Sequence, residues 1–214
     1  MTEVDVTLTD YAVTAECACF TYLFIPARSP ISQLATAFII FFLSIAVAAT
    51  AGGTVHGFFA DEKSFGHRVL WPFTLFCVGI TAFAGIHISA ALLFSSTAIR
   101  LIDIASVLVF LAYTVIILFI RSDFRLAVLN YLPSLIFLAS AFLIVHLRSG
   151  KSALLVGFWG VCVMIAAAGA QQLKWALHSR FCNHNAVYHV LQALALWMIF
   201  IAAQESIRLE EYTR

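Results

Sequence analysis

The chain has 214 residues, of which 63% are hydrophobic and 11% charged. A soluble domain carries roughly 25% charged residues, so this composition excludes an ordinary soluble globule, and the apolar content excludes a disordered chain. Twelve Lys and Arg against eleven Asp and Glu leave a net charge of +1 with no basic block, so a nucleic-acid partner is not expected.

A mean hydropathy of +0.99 with long apolar runs predicts an all-α, multi-pass integral membrane protein. At roughly 25–30 residues per span and connection, the chain holds about seven transmembrane helices, bundled as a single domain over residues 1–214. The first span is predicted over residues 10–25, with Glu16 inside it and Pro26 and Pro30 to end it. The start, Met1-Thr-Glu-Val-Asp, is acidic where a signal peptide would be basic, so this helix is expected to be retained. The second span, residues 33–59, is the strongest, with no charge from Ala35 to Val47. The third covers 69–94, where Trp71-Pro72 suits a first helical turn at headgroup level. The fourth and fifth cover 101–120 and 126–147, set off by the polar breaks Arg121-Ser-Asp and Arg148-Ser-Gly. The sixth, 153–177, carries Gly157, Gly160 and the run Ala166–Ala170, a small-residue face that lets helices approach closely. The seventh covers 185–207. Five cysteines, odd in number and mostly inside apolar runs, argue against a disulfide framework. Lys and Arg divide six and six between the two sides, so the positive-inside rule assigns neither.

With seven spans, five of the seven histidines fall on the side of the N-terminus: His56, His67, His178, His184 and His189. Asp10, Asp61, Glu62, Asn183 and Asn185 join them, while His87 and His146 map to the other side. His56 lies about one turn from the end of its span and His189 about one turn into the last, so the two imidazoles come to one level. Such a histidine is costly inside a bilayer and is a functional candidate, although a bond to a backbone carbonyl would also satisfy it. On a helix His189 shares a face with Asn185, four residues before it, whereas His184, five before, diverges by 140° unless it precedes the helix. Gln192 lies beside His189, so Gln192 and Asn185 are the expected outer partners that orient the ring. Asn183 or Asn185 would equally serve as a helix cap. Cys182, next to His184, has a thiol within sequence reach of the same cluster.

Two short motifs give the chain a family likeness. Gly52-Gly-Thr-Val-His56 and Asn185-Ala-Val-Tyr-His189 resemble the Ser-x-x-x-His of the second helix and the His-x-x-x-His of the seventh in the CREST superfamily. That superfamily comprises seven-helix membrane proteins: alkaline ceramidases, progestin and adiponectin receptors and Per1-like proteins. Gly52 stands where the family has serine, and Asn185 where it has the first histidine of the last helix, with His184 one residue earlier. Asp61 is the nearest acid after His56. The signatures are closer to a divergent bacterial-type branch than to a ceramidase proper. The resemblance implies zinc on the histidines and hydrolysis of a lipid.

Three functions follow as expectations. In the first, His56, His184 and His189 hold zinc with one open position, and Asp61 or Asp10 acts as general base on a lipid amide or ester drawn from the surrounding membrane lipids. In the second, scattered single histidines ligate haem b for electron transfer, without a covalent Cys-x-x-Cys-His site. In the third, the bundle is a sensor or complex subunit without chemistry.

Overall fold

A computed structural model describes residues 3–25, 32–178 and 183–213. Among the described residues the chain forms seven α-helices: α1 (Val4–Phe24), α2 (Gln33–Phe58), α3 (Phe65–Leu93), α4 (Ser96–Val115), α5 (Phe124–Ser149), α6 (Ser152–Gln172) and α7 (His184–Thr213). A π-helical turn, Ile116–Ile120, extends α4. Six of the seven, α2 to α7, are long and apolar enough to cross a membrane. The helix α1 falls short of that measure, and Asp5, Asp10 and Glu16 lie within it.

Helix ends follow local chemistry. Ser32 Oγ accepts from Ala35 N at 3.1 Å to open α2, and Ser64 Oγ accepts from His67 N at 3.2 Å to open α3. The cap at Ser64 starts α3 four residues before the predicted 69, so Pro72 lies inside the helix rather than at its first turn. The helix α5 ends at Gly150, whose φ of 70° is the left-handed conformation glycine adopts freely. The Pro26 and Pro30 stop lies outside the described residues.

The helices α1, α2, α3, α5, α6 and α7 pack in that order, and α7 returns to α1 to close a ring. The helix α4 packs on α3 outside the ring. It is held there by Tyr113, whose hydroxyl donates to the Leu75 carbonyl at 2.9 Å, and by His87 Nδ1, 2.9 and 3.0 Å from the two Asp103 carboxylate oxygens. Small residues seat α6 against α7. A Cβ on Gly157 would lie 2.2 Å from Ala202 Cβ, and one on Gly160 would lie 2.7 Å from Met198 Cβ. One half of the ring is filled by aromatic rings: Phe38, Phe41, Phe42 and Phe142 are fully buried, and Phe20 stacks on Phe200 at 4.2 Å. The other half is hollow.

Candidate functional site

The hollow half holds a cavity of about 320 Å³ between all six ring helices. Its outer part is polar, lined by Asp10, His56, His184, His189, Asn185 and Gln192. Its inner part is apolar, lined by Ile45, Val78, Leu132, Leu135 and Met164. Among the described residues no lysine or arginine lines it. The space exists because α2 changes from large to small residues along its length: Ala48, Ala49 and Gly52 border the cavity where Phe38, Phe41 and Phe42 fill the other half.

The N-terminal segment orients both central imidazoles by their Nδ1 atoms. His56 Nδ1 donates to Glu3 Oε2 at 2.7 Å. That bond, with the nearby His56 charge, outweighs partial burial and holds the Glu3 carboxyl below the ordinary glutamate range. His189 Nδ1 lies 3.2 Å from Thr9 Oγ1. Thr9 Oγ1 is closer still to the carbonyls of Asp5 and Val6, at 2.9 and 3.0 Å, so its single proton goes to the backbone. The ring N–H of His189 is therefore the donor to Thr9. A hydroxyl and a carboxylate thus occupy the inward nitrogens and leave each Nε2 for another partner, the arrangement found behind metal-bound histidines.

For His189 that partner is Asp10. Its Oδ1 lies 3.2 Å from Nε2, and both side chains are nearly sealed from solvent. With Nδ1 protonated, a neutral ring turns a lone pair toward a carboxylate oxygen, and the pair requires a cation between them, a proton or a metal ion. Two ligands of a tetrahedral zinc with bonds of about 2.0–2.1 Å stand about 3.3–3.4 Å apart, close to the spacing here. Asp10 Oδ2 is buried without a hydrogen-bond partner. Gly52 leaves room beside it, since a Cβ there would lie 3.7 and 3.9 Å from the two carboxylate oxygens. The donor set therefore fits a divalent ion at Asp10 and His189. As the side chains stand, however, among the described residues no group of three His, Cys, Asp or Glu is drawn tightly enough to hold one.

The expected site residues divide accordingly. His56, His184, His189 and Asp10 share the cavity, together with Asn185 and Gln192. Asp61 does not line it. Asp61 is exposed, and its Oδ1 accepts the Lys63 N–H at 2.9 Å in the turn after α2. His184 reaches the cavity without preceding the helix, because it opens α7, capped by Asn183 Oδ1 bonding to the N–H groups of Asn185 and Ala186. Asn185 accepts from Gln171 Nε2 of α6 at 3.1 Å rather than backing His189. Cys182 lies outside the described residues. Of the two histidines mapped to the other side, His87 bonds Asp103, and His146 Nδ1 lies 2.9 Å from the Lys151 carbonyl at the exposed end of α5.

Sequence reasoning missed Glu3, Thr9 and Tyr131. Glu3 and Thr9 precede the predicted start of the first span, and the spacing of acids before Asp10 was their one signal. Tyr131 sits in an apolar run with no motif around it.

The chain belongs to a family of unknown function, DUF6962, whose model matches residues 6–208. No curated protein and no solved structure matches it.

Proposed function

We propose that the chain is a seven-span, metal-dependent hydrolase that acts within the bilayer on a lipid amide or ester. The observation that carries this reading is the joining of one polar and one apolar half in a single cavity, with Asp10 and His189 at ligand spacing in the polar half. An amphiphile fits such a space, with its head among the imidazoles and its chain between Leu132, Leu135 and Met164. In this reading α1 is the seventh span, since it closes the ring despite its acids.

His56, His189 and Asp10 Oδ1 would hold zinc with one position open, His184 standing beside them in the same cavity, in keeping with the resemblance to the CREST superfamily. Zinc at that place supplies a Lewis acid for the scissile carbonyl and a water acidic enough to ionise near neutral pH. Glu3 and Thr9 hold the imidazole rings in place. Asp10 Oδ2, buried and unpartnered, takes the proton of the attacking water and returns it to the leaving group. Gly52 leaves space for the reacting carbonyl beside that oxygen.

The test is elemental analysis of detergent-purified protein. About one zinc per chain is expected, and it should be lost in the His56→Ala/His189→Ala double variant. Equal metal in parent and variant overturns the reading. A second reading, a metal-free lipid sensor or complex subunit, is favoured by one observation: both central imidazoles already have carboxylate partners, Glu3 and Asp10. Zinc-free protein that still binds lipid would establish it.

A further inference from the structure

Buried tyrosines normally find a partner for the hydroxyl, because an unpaired one forfeits its bond to water. Tyr113 does so, donating to the Leu75 carbonyl at 2.9 Å. Tyr131 does not. Its hydroxyl is buried, has no hydrogen-bond partner and belongs to a side chain that lines the cavity. Its neighbours along α5 on the same wall are Leu132 and Leu135, which offer no polar atom.

Tyr131 stands where the two parts of the cavity join. It follows Phe124 by seven residues, about two turns along α5, and a helical side chain leans back toward the N-terminus of its helix, so the phenol is directed toward the polar end while Leu132 and Leu135 continue the apolar wall. An amphiphile with its head at Asp10 and His189 therefore meets this phenol at the start of its chain.

We infer that Tyr131 is a specificity-determining residue: its hydroxyl donates a hydrogen bond to a carbonyl oxygen carried at the start of the chain of a bound amphiphile. The cavity thereby selects acyl-type lipids over plain alkyl ones, independently of what the imidazoles hold. The inference rests on the reading of the cavity as a lipid seat, but not on zinc or on catalysis.

The experiment compares two probes that differ only in that oxygen, in nanodisc-embedded full chain. One is a glycerol lipid whose ether-linked chain carries a ketone, which cannot be hydrolysed; the other is its plain alkyl ether. Displacement of a radiolabelled copy of the alkyl ether by each unlabelled probe reports their relative affinities. The wild type should prefer the ketone by about fivefold, the worth of one neutral hydrogen bond, and Tyr131→Phe should bind both equally. Zinc content should be the same in both proteins. Equal affinity for the two probes in the wild type overturns the inference even if the variant does not fold, and so does a preference that survives in Tyr131→Phe. Failure of the wild type to bind either probe overturns both the inference and the lipid reading. A wild type that holds no zinc yet keeps the preference overturns the hydrolase reading alone.

Discussion

The two halves of the ring use the same six helices to opposite ends. In the filled half Phe42 is fully buried and its ring meets those of Phe20, Phe24, Phe41 and Phe200 at centroid distances of 5.3 to 6.1 Å. In the hollow half the same helix α2 presents Ala48, Ala49 and Gly52, and the facing helices present Ala127 and Ala168. The backbone scaffold is common to both, so side-chain size alone decides where the protein is solid and where it can accept a guest. Dense packing is concentrated in one half and open, partly polar space in the other.

That division breaks most visibly at Phe42. Phe42→Ala should cost about 3–5 kcal/mol, because it removes a ring from a packed aromatic cluster, and the loss should appear as a lower unfolding temperature in detergent. Ligand binding in the hollow half should survive at temperatures where the variant is folded. Two adjacent glycines sharpen the contrast. A Cβ on Gly53 would meet Asp10 Cβ at 2.9 Å, so Gly53→Ala should push α1 away and destabilise by about 1–3 kcal/mol. A Cβ on Gly52 would meet nothing nearer than 3.6 Å, so Gly52→Ala should be neutral or stabilise by about 0.5–1 kcal/mol while narrowing the cavity. Thermal unfolding of the pair, read side by side, checks both.

Acid should act on the hollow half alone. The Glu3 carboxyl titrates below its ordinary value of 4.5, so its bond to His56 adds stability above that pH and loses it as pH falls through the lowered value. Hydrogen exchange at the first turn of α1 should accelerate in that window, while the amides around Phe38 and Phe42 stay protected. Glu3→Gln should abolish the acid step. A further effect, outside both halves, is expected at the end of α6. There Lys174 holds a φ of 56°, and Trp175 N–H bonds the Ala170 carbonyl to close the helix. Lys174→Gly should stabilise by about 1 kcal/mol, since glycine meets no steric penalty in that conformation, and calorimetry should show it without any change in ligand affinity.

The helices were legible in the sequence, because apolar runs are local quantities, and so was the side of the bundle shared by His56 and His189, which line one cavity. Helix ends were less so. The helix α1 begins at Val4 rather than at 10, as Glu3 N–H bonds the His56 carbonyl and ties its first turn to the end of α2. The helix α6 stops at Gln172 rather than at 177, where Lys174 turns the chain. The partners of the imidazoles were illegible for a similar reason. Glu3 and Thr9 reach His56 and His189 across 53 and 180 positions of sequence, and only the packing of α1 against α2 and α7 brings them together. Proximity in sequence favoured Asp61, five residues after His56, which the turn at Lys63 directs to the surface.

The helix outside the ring has a consequence of direction. Because α4 carries the chain back across the bundle, α3 and α5 lie side by side with the same polarity, and the same holds for α7 and α1. Remove that one return stroke and every later helix would be inverted. His184 and His189 would then emerge at the far end, a full helix length from His56. A helix that itself contributes no residue to the lining of the cavity thus sets the parity on which the whole constellation depends.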